Sequence, residues 1–188
     1  MSSQEQFQTP LDREPRAAHD ADTETEQQSP DAAGRVVAVD DESLAESEVT
    51  VTQGDGWLAS LTVRPRVECA WSGFDEAPSE VGATLLVRVD GETCFDPVAT
   101  ELLPLDEGIE GTTALEFDDA HDVVENTTLD AVDFEPPWRT DRPRTRTLTL
   151  RLVVDLLDDD GIPLCGDVAT VERDVVVEAG DDAVPHRD

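Results

Sequence analysis

The segment RTLTLRLVVDLL, residues 146–157, decides the fold because apolar and polar side chains alternate along most of it. One face carries Leu148, Leu150, Leu152, Val154 and Leu156, and the other carries Thr147, Thr149, Arg151 and Asp155. A period of two residues is typical of a β-strand with one face on a core and the other in solvent. The segment VATVERDVVVEAG, residues 168–180, follows after a turn and predicts an antiparallel partner for this strand.

Several shorter segments upstream have the same strand character and are separated by turn signals. They cover residues 34–40, 47–53, 57–71, 83–89, 93–103 and 112–119. Gly-Asp-Gly at 54–56 and the Asp90-Gly91 pair are residue types that favour turns and tight hairpins. Because the chain has no long helical pattern, we expect an all-β fold of seven to nine strands, arranged as an antiparallel two-sheet β-sandwich.

The longest alternating segment, WLASLTVRPRVECAW at 57–71, predicts which side chains face the core. One parity contains Trp57, Ala59, Leu61, Val63, Pro65, Val67, Cys69 and Trp71. Proline has no N–H to donate to a β-ladder, so Pro65 predicts that this strand lies at a sheet edge or is broken near its middle.

The strand spacing, with Trp71 following an inward Cys69, resembles immunoglobulin-like and fibronectin-type sandwiches over residues 34–180. The sequence departs from antibody domains because it has no Tyr to form a tyrosine corner. Cys69 and Cys94 are also closer in sequence than a bridging inter-sheet pair. The resemblance therefore implies an architecture, and it implies no ligand or activity.

The charge composition predicts the environment of the protein. The chain has 45 acidic residues against 13 basic ones, all of them Arg, for a formal net charge of -32. Self-repulsion of this size opposes folding unless salt screens it, and at molar salt the Debye length falls to about 3 Å. An acid-rich, lysine-free composition resembles the proteins of extreme halophiles, above all the halophilic archaea, and it accounts for most acidic clusters without a binding function.

The same charge excludes several classes of partner. A surface this acidic repels nucleic acid and anionic membranes, and no segment approaches the ~20 apolar residues of a membrane span. The first twenty residues lack the apolar core of a secretion signal, so we expect assembly in the cytoplasm. The three cysteines are widely spaced, which predicts buried free thiols and no zinc site.

Composition divides the chain into an N-terminal segment (1–33), a sandwich domain (34–180) and a short C-terminal tail (181–188). The N-terminal segment has no period, and apart from Met1 its only large apolar residues are Phe7 and Leu11. Two interpretations remain open for it. It is either a disordered tail or an arm that orders on a neighbouring subunit with Phe7 and Leu11 as anchors.

The segment DLLDDDGIPLCGD (155–167) has the appearance of a calcium loop. Aligning Gly161 with the glycine of an EF-hand makes Asp158, Asp160 and Asp167 candidate metal ligands. This frame also puts Leu156 where the first ligand belongs, and no flanking helices are predicted. We therefore expect a hairpin turn here and no bound cofactor.

A cluster of arginines near one Trp is the most informative departure from the acidic surface. Its members are Trp138, Arg139, Arg142, Arg144, Arg146 and Arg151. They could contact nucleic acid, pair with carboxylates of the same chain, or bind the acidic surface of a neighbouring copy. Phosphate contacts weaken steeply in salt, which favours pairing within or between subunits.

The sequence contains none of the common catalytic motifs, so we expect no enzyme and no small-molecule substrate. The favoured hypothesis is a structural protein that assembles with other subunits as a homo- or hetero-oligomer. A sandwich with a linking arm resembles components of virus particles, here a capsid decoration, turret or tail protein in the virion of a tailed virus of halophilic archaea. The alternative is a host-encoded binding module that recognises a protein or a carbohydrate through its loops.

Overall fold

The computed structural model describes residues 34–54, 57–105, 108–136 and 142–179. The proposed N-terminal arm (1–33) and the C-terminal tail (181–188) lie outside these ranges. Strands make up 58% of the described residues and helices 8%, and all strand pairing is antiparallel. The prediction of an all-β, antiparallel protein is therefore confirmed.

The described part of the chain contains ten strands, two four-residue helices and one 3₁₀ turn. The strands are β1 (Val36–Val39), β2 (Glu48–Gln53), β3 (Leu58–Arg64), β4 (Arg66–Ser72), β5 (Glu80–Val89), β6 (Asp96–Pro104), β7 (Gly111–Glu116), β8 (His121–Asp122), β9 (Arg144–Leu157) and β10 (Pro163–Val177). The helices are α1 (Asp41–Leu44) and α2 (Val123–Asn126), and the 3₁₀ turn is Ala131–Asp133.

The strands form three hydrogen-bonded sheets. The largest has the order β10-β9-β5-β6, and the other two have the orders β1-β4-β7 and β2-β3-β8. β9 is the longest interior strand, and it pairs with β5 on one side and with β10 on the other. The pairing of β9 with β10 confirms the antiparallel pair that the alternating patterns predicted.

The core is built on the apolar faces of β5 and β9. Each apolar row alternates with a mostly polar row, which also contains Leu86 on β5 and Val153 on β9. The buried side chains are Val81, Ala83, Leu85, Val87 and Val89 on β5, and Leu148, Leu150, Leu152, Val154 and Leu156 on β9. Buried residues of the two smaller sheets belong to the same cluster, so all three sheets share one core.

The segment 57–71 is broken at Pro65, as its missing N–H predicted, and forms β3 and β4. From Leu61 to Trp71 the predicted parity is buried. At the start of β3 the prediction is wrong, because Trp57 is 50% exposed and Leu58 is buried instead. The register between β2 and β3 shifts there, which places one extra β3 residue, Ala59, opposite the partner strand and reverses the alternation.

The described part has more strands than the seven to nine that the sequence predicted. Pro65 divides one predicted strand into two, which adds one to the count. The two-residue strand β8, which pairs with Thr62 and Val63 of β3, is too short to produce an alternating pattern.

The outer edge of β10 is held to neighbouring elements by side-chain acceptors. Asp167 Oδ2 accepts a hydrogen bond from the Val39 N–H of β1 at 3.0 Å. The Thr170 N–H of β10 donates to Asp41 Oδ1 at 2.6 Å, and the Glu178 N–H donates to Gln53 Oε1 at 2.8 Å. These bonds satisfy backbone groups that an edge strand would otherwise present to another chain.

All three cysteines are free thiols. The expected burial is confirmed for Cys69, whose pKa is raised to about 11 by loss of solvation and by the nearby Asp167 carboxylate. It is wrong for Cys94, which is exposed. Within the described residues no helix has the length and apolar character needed to cross a membrane.

Candidate functional site

The segment after β9 forms the hairpin turn that the sequence predicted. The Asp158 N–H donates to the Ile162 carbonyl at 3.1 Å, and the Gly161 N–H donates to the Asp158 carbonyl at 2.9 Å. Asp158 Oδ1 also accepts hydrogen bonds from the backbone N–H groups of Asp160 and Ile162, at 3.0 and 2.8 Å. One carboxylate oxygen of Asp158 therefore stabilises the turn itself.

The three weak metal candidates have separate surroundings. Asp158 and Asp160 lie in the turn, whereas Asp167 pairs with Val154 inside the β9–β10 ladder and binds the Val39 N–H. Among the residues that the structure describes, no three His, Cys, Asp or Glu side chains are close enough together to hold a metal ion. We assign no metal site to this loop.

Arg146 is bound within the subunit by two neighbouring loops. Its Nε donates to Asp90 Oδ1 at 2.7 Å, and one Nη donates to the Asp133 carbonyl at 3.1 Å. The other Nη donates to the Asp90 carbonyl. The Arg146 side chain is only 17% exposed, so this arginine joins the loop after β5 to the 3₁₀ turn.

The electrostatics of Asp90 reflect the same contact. Its pKa is lowered, first by the hydrogen bond from the Arg146 side chain and also by the Thr147 N–H, which donates to Oδ1 at 2.9 Å. Partial loss of solvation acts in the opposite direction; its effect is smaller than that of the Arg146 bond and larger than that of the Thr147 bond. The carboxylate is therefore held in its charged form at the end of β5.

The other predicted interface residues are distributed over different surroundings. Arg144 donates to the Glu135 carbonyl at 3.0 Å, and Arg142 is exposed and has an interaction within the protein. Arg144 and Arg146 share one parity of β9 and Arg151 has the other, so these arginines do not form a single strip. Phe7, Leu11, Trp138 and Arg139 lie outside the described residues.

Arg151 belongs to a cluster that the sequence did not reveal. Its guanidinium carbon lies 4.1 Å from the centre of the Phe95 ring, and that of Arg88 lies 4.7 Å from the same ring. Arg88 is on β5 and Phe95 is in the loop before β6. We call these three side chains the Arg88–Phe95–Arg151 cluster. Arginine stacks favourably on aromatic faces because the ring quadrupole attracts the cation.

The two arginines of the cluster have hydrogen-bond donors that no described side chain or backbone group accepts. Within the described part of the chain, neither Arg88 nor Arg151 forms an ion pair or a side-chain hydrogen bond. The Nε of Arg151 is enclosed and has no acceptor among the described residues, and a guanidinium carries further N–H donors on its two Nη atoms. Two like charges over one ring repel each other, so an added carboxylate would stabilise the pair.

The sheet face around the cluster is partly apolar. This face lies opposite the core and carries Leu86, across from Arg151, and Pro97, across from Leu86. Nearby exposed apolar residues on the same four-stranded sheet include Leu102, at 61% exposure, and Val168, at 45%. Arginine and apolar side chains on one exposed face are a composition that is enriched at protein interfaces.

An open cleft of about 940 Å³ lies at the other end of β5. Its lining combines one cation with several carboxylates and apolar groups, including Arg35, Phe74, Asp75, Glu76, Ser79 and Asp159. The Ser79 hydroxyl is buried and has no hydrogen-bond partner within the described residues.

We compared the chain with protein-family models, with curated proteins and with solved structures, and none of the three comparisons found a match.

Proposed function

We propose that this protein is a non-catalytic structural subunit that assembles with other protein subunits. The observation that carries the proposal is the outer face of the four-stranded sheet. In a chain of net charge -32, that face presents exposed apolar side chains and two arginines without carboxylate partners among the described residues. Arginine and apolar groups are enriched where subunits meet, and the polar rim around them suits a reversible contact.

We further infer that the sheets pack as an immunoglobulin-like sandwich. The support is the strand order, in which β4 lies between β1 and β7 and β9 lies between β10 and β5. Among its changes of sheet, the chain leaves β4 for the β5–β6 hairpin of the four-stranded sheet and returns to pair β7 with β4, a crossing of the kind that Greek-key connections make. A single core shared by all sheets agrees with face-to-face packing.

The proposed setting is the virion of a tailed virus of halophilic archaea, as a capsid decoration, turret or tail component assembled in the cytoplasm. Its support is the composition, with 45 acidic residues and arginine as the sole basic residue type. Molar salt screens such a surface and permits short-range contacts between like-charged subunits. The resemblance to virion components concerns the architecture only, and it identifies no binding partner.

In this proposal residues 1–33 act as an arm that binds a neighbouring copy, with Phe7 and Leu11 as apolar anchors. Replacing both anchors together, Phe7→Ser and Leu11→Ser, should weaken self-association in molar salt at least about tenfold, because two apolar side chains lose their burial. Sedimentation equilibrium of the full-length chain measures the effect.

The matched control is the double change Ala17→Ser and Ala18→Ser in the same segment, which should leave association unchanged. Thermal unfolding of both variants should match the parent chain, since the anchors lie outside the sandwich domain. Equal association of the anchor variant, the control and the parent would contradict the role of the arm.

The cleft beside Arg35 and Phe74 favours a second candidate, a host-encoded module that binds a protein or carbohydrate through its loops. That function predicts a monomer whose melting temperature rises when a ligand occupies the cleft. A defined oligomer that shows no such rise with a panel of oligosaccharides and peptides would count against it.

A further inference from the structure

We propose that Arg88 and Arg151, stacked on Phe95, bind the Asp12 carboxylate in the N-terminal segment of a neighbouring copy of this chain. This inference rests on the proposed assembly function and names the contact that the arm makes. Of the arginines that the sequence singled out, Arg151 belongs to this site, together with Arg88 and Phe95.

The donors of the site are already in place. Both guanidinium groups lie over one ring, at 4.7 and 4.1 Å from its centre, so each is oriented before a ligand arrives. Arginine binds carboxylates through two parallel N–H donors, and charge-assisted bonds of this kind are stronger than neutral ones. Little side-chain entropy remains to be lost on binding, because the stacked arginines are already ordered.

The surroundings suit a single carboxylate next to an apolar side chain better than an extended polyanion. Leu86 and Pro97 flank the arginines on the same sheet face and offer an apolar contact. Glu92 and Asp96 lie beside Arg88 around a small cavity of about 180 Å³ without forming an ion pair with it. An extended polyanion such as nucleic acid would bring many charges close to these acids, whereas one carboxylate brings a single charge, and polyanion binding would also collapse in molar salt.

The N-terminal segment contains a dipeptide of this chemistry. Leu11 immediately precedes Asp12, and Phe7 lies four residues before Leu11. Asp12 can pair with the arginines while Leu11 contacts Leu86 and Pro97. The 22 residues from Asp12 to Gly34 reach about 70 Å when extended, well beyond the ~40 Å diameter of a domain of this size. The segment is therefore long enough to reach a neighbouring copy.

A double-mutant cycle on the full-length chain tests the contact. We expect Arg88→Gln with Arg151→Gln, and separately Asp12→Asn, each to weaken self-association about tenfold, as for the loss of a charge-assisted contact. Combining the changes should weaken association little further, because both remove the same interaction. The matched controls are Arg66→Gln, an exposed arginine of β4, and Asp22→Asn in the same N-terminal segment, and both should have no effect.

Mixing distinguishes a contact between copies from one within a copy. The arginine variant retains Asp12, and the Asp12 variant retains the arginines, so a mixture of the two should associate more tightly than either protein alone. Failure to recover association on mixing would overturn the intermolecular contact. Unchanged thermal unfolding of each variant excludes misfolding as the cause of weaker association.

The outcomes also separate this inference from the proposed function. A parent chain that stays monomeric at every concentration would overturn both. A parent chain that assembles through Phe7 and Leu11, yet is indifferent to the changes at Arg88, Arg151 and Asp12, would overturn this inference alone. Additive effects of the arginine and Asp12 changes would likewise contradict a direct contact between them.

Discussion

Some charged residues stabilise the fold directly, although the composition alone would explain them as salt adaptation. Arg146 and Asp90 both belong to charged segments, yet their side chains join the loop after β5 to the first residues of β9. The arginine is mostly buried and makes three hydrogen bonds, so it contributes to the folded body. Because Arg146 is mostly buried and pairs with Asp90, we infer that it stabilises the subunit and is not available to a partner.

Replacing Arg146 by Gln should lower the free energy of unfolding by about 1–3 kcal/mol, because charge-assisted bonds to Asp90 and a bond to the Asp133 carbonyl are lost. The pKa of Asp90 is lowered in the folded protein. A lowered carboxyl pKa stabilises the fold above the ordinary Asp pKa, and this stabilisation is lost as pH falls through the folded value. The difference in the free energy of unfolding between the parent protein and the Arg146→Gln variant should therefore become smaller as the pH is lowered.

Urea unfolding of both proteins at constant high salt, at neutral pH and near pH ~3, measures this difference. The control is Arg66→Gln, whose side chain is exposed and should have little effect on stability. If the stability difference between parent and variant grew as the pH fell, the stabilising role of the Arg146–Asp90 pair would be contradicted.

At the scale of the elements, β9 and β10 approach each other closely in the row that contains Asp155. Gly82 of β5 and Gly166 of β10 pair with Asp155 from opposite sides. Burial between these strands raises the pKa of the Asp155 carboxyl. A side chain would clash with backbone at Gly166 but would fit at Gly82, so substitutions at the two glycines should differ in their effect on stability.

Gly166→Ala should lower the free energy of unfolding by about 1–3 kcal/mol, because overpacking strains the ladder. A Cβ atom there would lie 2.6 Å from the Val154 carbonyl oxygen, and backbone atoms of a central strand cannot easily move. The matched variant Gly82→Ala meets no atom closer than 3.7 Å and should change stability by less than about 1 kcal/mol. Denaturant unfolding of both variants measures the difference, and equal effects would contradict the described β9–β10 register.

A comparison of the elements with the sequence patterns shows which features of the fold could be predicted from the sequence. The alternating pattern and proline chemistry predicted β9, a strand at 83–89 and the break at Pro65, because both are local properties. The alternating pattern failed at Trp57, since a β-bulge reverses parity without leaving a sequence signal. The Arg88–Phe95–Arg151 cluster was missed because it depends on the pairing of β5 with β9. Their residues are about sixty positions apart, and their pairing partners cannot be deduced from either segment alone.

At the scale of the whole molecule, the net charge of -32 should make stability depend on salt. Lowering the salt concentration from ~2 M to ~0.1 M lengthens the Debye length from less than 3 Å to about 10 Å and restores repulsion between carboxylates. We expect the melting temperature to fall on this change. A melting temperature indifferent to salt, followed by circular dichroism at constant pH, would contradict the interpretation of the composition as halophilic.

The mass of the native protein in molar salt tests the central claim, that this chain is an assembling structural subunit, most directly. One chain has a mass of 20.4 kDa. Sedimentation velocity of the full-length protein should give a single species whose mass is a defined multiple of that value and which persists on dilution to micromolar concentration. A species of 20.4 kDa at every concentration would contradict the claim.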